Sequence, residues 1–104
     1  MAESYEQCDR QYTNDINRVR HHLSSTRTVT TLEECSRLLS SAQTSAEQME
    51  QWGRSVNDTR KIREAQRRLQ QEVIPLTREV SRAKREMTER MGRDELFAGA
   101  NSRR

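Results

Sequence analysis

The stretch Ile62-Arg63-Glu64-Ala65-Gln66-Arg67-Arg68-Leu69-Gln70-Gln71-Glu72-Val73-Ile74-Pro75-Leu76-Thr77-Arg78-Glu79-Val80 decides the fold. Its apolar positions Ile62, Ala65, Leu69, Val73, Leu76 and Val80 continue through Ala83, Met87 and Met91 with a mean step close to 3.6 residues, the period of an α-helix. Pro75 lies inside that run. It removes the amide that would bond the Gln71 carbonyl and crowds the turn, at a cost of about 3 kcal/mol. Because the stripe keeps its phase from Leu69 through Val73 and Leu76 to Val80, the sequence predicts a kinked helix rather than a broken one.

Two further stripes precede it. Tyr5, Cys8, Tyr12, Ile16, Val19 and Leu23 are spaced by 3 or 4 residues and fall on one side of a first helix. Leu32, Cys35, Leu39, Ala42, Ala46, Met49 and Val56 keep a near-heptad alternation with Gly53 in the vacant slot, flanked by Leu38 and Trp52, so the second helix should coil around its neighbours. No strand-like alternation competes, since β-branched residues are scattered and aromatics scarce. Cap signals place the helices at about 3–24, 31–55 and 58–91. Ser4 with Gln7 and Thr31 with Glu34 read as capping boxes, and Asn57-Asp58-Thr59 offers caps for the third helix. Short connectors at 24–30 and 55–57 permit only antiparallel neighbours. The expected fold is all-α: an antiparallel up-down-up three-helix bundle with left-handed coiled-coil-like packing and a long third helix of roughly 50 Å.

Composition sets bounds on this reading. Leu, Ile, Val and Phe make up only 16 of 104 residues, a level at which disorder competes with folding. Against disorder stand the organised stripes and the balance of 19 basic and 16 acidic residues, a net charge of +3. A slim bundle needs few core residues per turn. The acidic, polar start Met1-Ala2-Glu3-Ser4-Tyr5-Glu6-Gln7 does not read as a signal peptide, and no run approaches the ~20 apolar residues of a membrane span. The expectation is a soluble, monomeric domain facing the cytosol. Residues 1–92 form the bundle, and past Gly92 the stripe stops, so 93–104 read as a linker or frayed tail.

Candidate chemistry is sparse. Cys8 and Cys35 fall on core stripes and read as buried free thiols; a disulfide between the first two helices is geometrically conceivable but suits an oxidising compartment. His21 and His22 point about 100° apart on a helix and cannot share a metal, which needs i, i+4 spacing. No catalytic triad, phosphate loop or carboxylate pair can be assembled, and a thin bundle offers no pocket of ordinary size. The expectation is a protein that is not an enzyme and takes no cofactor, metal or small-molecule substrate. What remains is the outer face of the third helix. Projected at 100° per residue, Arg60, Arg63, Arg67, Arg78, Arg82 and Arg85 cluster opposite the apolar stripe with Ile74 among them, a docking surface for an acidic partner, an anionic membrane or nucleic acid. The bland reading is a solvated face whose charges pair locally with Glu64, Gln71, Glu79, Glu86 and Glu89.

The order of parts also resembles a known family. Tyr5-Glu6-Gln7 opens the first helix; Glu33-Glu34-Cys35-Ser36-Arg37-Leu38-Leu39 and Ala46-Glu47-Gln48-Met49 lie in the second; a long basic helix ends in Arg93-Asp94-Glu95-Leu96-Phe97-Ala98-Gly99. This resembles, over nearly the whole chain, the N-terminal domain of the Vti family of Qb-SNAREs, with the Arg-x-x-Leu-Leu/Phe-Gly-like ending as its most specific piece. The resemblance implies a three-helix domain whose SNARE motif and C-terminal membrane anchor would follow Arg104, so that membrane attachment would come only through that anchor. It further implies a role in vesicle-mediated protein transport and fusion at Golgi, trans-Golgi network and endosomal membranes. Other SNARE proteins and the ENTH domains of epsin-related clathrin adaptors are the implied partners. The arginine density of the third helix departs from the family's pattern, so no adaptor footprint is carried onto particular residues. A basic bundle binding nucleic acid is the alternative, motivated by a pI near 9.3.

Overall fold

The computed structural model describes residues 4–25 and 27–102, with side chains described as far as residue 90. Helix α1 (Tyr5–Ser24) is followed by α2 (Val29–Ser55), then by α3 (Thr59–Arg68), a five-residue π-turn (Leu69–Val73) and α4 (Ile74–Ser102). The last three run on without a gap as one rod. The architecture is the expected all-α three-helix bundle, with no strand among the described residues. Antiparallel register shows in cross-helix contacts: Arg18 reaches Glu34 and the Cys8 thiol meets Gln48 between α1 and α2, while Gln66 reaches Glu50 and Lys84 reaches Ser36 between α2 and the third rod. The molecule measures 70 × 24 × 19 Å.

Each helix starts where a side chain satisfies its unpaired amides. The Ser4 hydroxyl accepts from the Gln7 amide at 3.2 Å while the Ser4 amide donates to Gln7 Oε1 at 3.0 Å, the expected capping box. The second box sits one turn earlier than the sequence predicts. Thr28, not Thr31, is the cap: its hydroxyl accepts from the Thr31 amide at 3.1 Å and its amide donates to Thr31 Oγ1 at 2.8 Å. Glu34 is thereby released to face Arg18 at 2.7 Å, His22 at 3.5 Å and Arg37 at 3.6 Å. Asp58 caps α3 by accepting from the Lys61 amide at 3.2 Å. Asn57 has a different role from the predicted cap. It ends α2 in the left-handed region at φ 56°, and the bonds Asn57 N to Arg54 O and Asp58 N to Gly53 O close a Schellman turn.

The stripes form the core. Cys8, Tyr12, Ile16, Val19 and Leu23 from α1, Leu32, Cys35, Leu39, Ala42, Ala46 and Met49 from α2, and Ala65, Val73, Val80 and Ala83 from the third rod are all buried. Tyr5, Leu69, Leu76 and Met87 pack half-buried against them. Both cysteines are free and buried. Val56 is the exception, 48% exposed, because the Schellman turn takes it out of helical phase. Gly53 holds its slot because the third rod crosses there: a Cβ would lie 3.1 Å from the Ile62 amide nitrogen.

Pro75 is accommodated by the π-turn. Ile74 N bonds to Leu69 O, five residues back, just ahead of the residue that has no amide to give. Val73 and Val80, on either side of Pro75, both stay buried across the turn. Downstream, α4 continues as helix through Gly92 and Gly99 to Ser102, where the sequence predicts a tail; the run 93–98 contains good helix formers and no proline. Residues 103–104 and residue 3, the predicted start of the first helix, lie outside the described residues, as does the side chain of Met91.

Candidate partner-binding surface

All seven predicted surface residues share one side of the third rod. Arg60, Arg63 and Arg67 on α3 and Arg78, Arg82 and Arg85 on α4 are exposed, and Ile74, the first residue of α4, is 43% exposed. They lie opposite Ala65, Val73, Val80 and Ala83, which face α2 in the core, so the face spans about 37 Å from Arg60 to Arg85 at helical rise. Gln70, Gln71 and Pro75 join Ile74 in the middle, leaving two arginine triplets with an uncharged centre.

Local pairing accounts for little of this charge. Among the described residues Arg67 alone of the six meets a carboxylate, binding Glu64 through Nε at 3.0 Å and Nη2 at 2.5 Å. The hydrogen bond from Arg67 draws the Glu64 carboxyl below the usual carboxylate range, burial opposes it, and Arg68 reinforces it. Arg60, Arg63, Arg78, Arg82 and Arg85 form no ion pair among the described residues. Glu79, a predicted local partner, instead meets Arg27 at 3.3 Å, while Arg27 also donates to the Leu23 carbonyl at 3.1 Å at the end of α1. Mixed exposed helices usually pair at i, i+4 for a few tenths of a kcal/mol. Here Glu72 points to α1 and Glu79 to the connector.

The charge is also divided along the chain. Residues 1–58 hold six basic and nine acidic residues, whereas 59–104 hold thirteen basic and seven acidic. Of the helices, α1 is neutral and α2 net negative, with two basic against four acidic residues, while the third rod is net positive, with eleven basic against seven acidic.

A second cluster, absent from the sequence reading, joins α1 to the third rod. Arg68 is largely enclosed, with its guanidinium 5.0 Å from the centre of the Tyr12 ring, 2.6 Å from Asp9 and 3.1 Å from Glu64. Burial works against its charge, but the hydrogen bond and field of Asp9, joined by Glu64, outweigh it and hold its pKa above the usual value. Tyr12 donates to Glu72 at 2.8 Å and Arg20 meets the other oxygen of Glu72 at 3.0 Å. Burial first, then the Glu72 carboxylate, push the Tyr12 phenol well above its ordinary pKa. The apolar contacts of both neighbours go mainly to α2, and these long side chains fill the remaining side of the triangle.

Depressions of about 170, 150 and 240 Å³ lie beside Lys84 and Met87, beside Tyr12 and Glu72, and beside Arg27 and Glu86, each below the roughly 300 Å³ of a small-molecule site. His22 leans toward Glu34 and His21 is exposed, and no cluster of three metal-binding side chains occurs among the described residues. No helix among them is long and apolar enough to cross a membrane. Comparison with protein-family models, with curated proteins and with solved structures returns no match to this chain.

Proposed function

We propose that this chain is a non-catalytic interaction domain, the N-terminal three-helix module of a Vti-type Qb-SNARE, acting in vesicle-mediated protein transport at Golgi, trans-Golgi network and endosomal membranes. The observation that carries the reading is the bundle itself: three antiparallel helices whose third rod outruns the other two, with exposed side chains rather than a cleft as its working surface. Val29, at the start of α2, lies beside Met87 and Thr88, so α4 overhangs the bundle by about 20 Å, in the direction in which the family's SNARE motif would follow. The Arg93–Gly99 ending that carries the resemblance lies on this overhang.

Binding of the purified chain to an ENTH domain and to SNARE partners tests the reading, by titration calorimetry or pull-down with purified components. Saturable binding to either class supports it, and no binding to any of them overturns it. The nucleic-acid alternative draws on the five arginines with no ion pair among the described residues, but of the described side chains Tyr5, Tyr12 and Trp52 lie on α1 and α2 and give the arginine face no stacking platform.

A further inference from the structure

We infer that the outer face of the third rod is a docking surface for an anionic phospholipid bilayer, independently of the family to which the chain belongs. Four observations favour a bilayer over other polyanions. The arginines lie exposed, opposite the core residues of their own segments, on a continuous rod for about 37 Å, which a plane can meet along its length, whereas the phosphate ridge of a duplex curves away from it. All six basic groups are arginine, whose planar fork binds phosphate oxygens two at a time. Five of them have no carboxylate partner among the described residues and so are free to engage without breaking an ion pair there.

The centre of the face supplies the third argument. Ile74 and Pro75 stand exposed between the two triplets, where headgroups would take up an apolar side chain that a nucleic acid's phosphates would leave unpartnered. Finally, a neutral α1 and a net-negative α2 lie behind a net-positive rod, so the field of a negative surface turns the molecule to present this face. The inward cations are already engaged, Arg68 with Asp9 and Lys84 with Ser36, and do not compete for the lipid.

The test is co-sedimentation of the 104-residue chain with vesicles of phosphatidylcholine alone and with about one-third phosphatidylserine, at ionic strengths from about 0.05 to 0.5 M. The expected result is binding to the anionic vesicles only, fading as salt rises. The triple variant Arg78→Gln, Arg82→Gln, Arg85→Gln should partition about a hundred-fold more weakly, at roughly five-fold per arginine. Ile74→Asp should weaken binding several-fold, while Arg37→Gln on α2 leaves it nearly unchanged. All these positions are exposed, and circular dichroism checks that each variant keeps its helices. Binding to neutral vesicles as strong as to anionic ones, no binding to either, or an equal fall with Arg37→Gln would each overturn the inference. So would binding to duplex DNA or to an acidic peptide with none to vesicles.

Discussion

Tyr12 shows how one side chain joins two parts of the sequence. It belongs to the apolar stripe of α1, yet its hydroxyl donates to Glu72 and its ring lies against Arg68, nearly sixty residues away. Tyr12→Phe should cost about 1–2 kcal/mol in urea denaturation at pH 7, since Glu72 loses a buried donor and keeps Arg20. The same bond gives an alkaline signature. The folded phenol's pKa lies above the unfolded value near 10, so the fold favours the protonated form. That stability is complete below about pH 10 and is lost as pH rises toward the folded pKa. The unfolding midpoint should therefore fall above about pH 10 in the wild type and fall less steeply in Tyr12→Phe. Some slope will persist, because burial raises the Tyr5 phenol as well. Gly53 and Asn57 are decided by space and backbone. Gly53→Ala should lower the melting temperature despite a helix-propensity gain of about 1 kcal/mol, because the new methyl meets Ile62 backbone and Lys61 Cβ. Asn57→Ala should cost about 1 kcal/mol at its positive φ, and Asn57→Gly should be neutral or better.

Among the elements, the third rod has the strongest conflict between local rules and tertiary demand. Pro75 forbids a regular turn, yet Val73 and Val80 on either side of it must both stay buried. One π-turn answers both. Pro75→Ala should therefore leave the π-turn in place and change stability by less than about 1 kcal/mol, because removing the turn would rotate Val80 and Ala83 away from α2. Deleting exposed Gln70 together with Pro75→Ala removes the extra residue and the imino acid at once. That variant should form a regular helix with its stripe in phase and melt at a higher temperature, and amide-exchange NMR would show whether the Ile74 to Leu69 bond has gone. The periodicity revealed that the helix survives Pro75, while the means of survival, a π-turn, depends on what packs at Val73 and Val80.

For the whole molecule, stability and binding sit on opposite sides of the rod. Leu39, 4% exposed in the centre of α2, touches the common core, and Leu39→Ala should lose about 2–5 kcal/mol, a large share of what so slim a bundle possesses. Arg82→Ala, on a residue with no ion-pair partner among those described, should change stability by no more than about 0.5 kcal/mol. Equal losses at the two sites, measured by urea denaturation, would contradict the helical phase on which the arginine face depends.

The sequence by itself determined the three helices, their antiparallel order, the buried stripes and the arginine row, because each is a local periodicity or a short connector that the chain carries wherever it folds. Tertiary structure alone decided the rest. Asp15 is buried at 2% exposure with Gln11 as its partner, although its position belongs to no apolar stripe. Arg68 is enclosed while its neighbour Arg67 is not, and Glu79 turns from the arginine row to Arg27. The physical reason is distance along the chain: a periodic pattern shows which side of a helix faces inward, but the partner of a long charged side chain depends on elements brought alongside from up to sixty residues away.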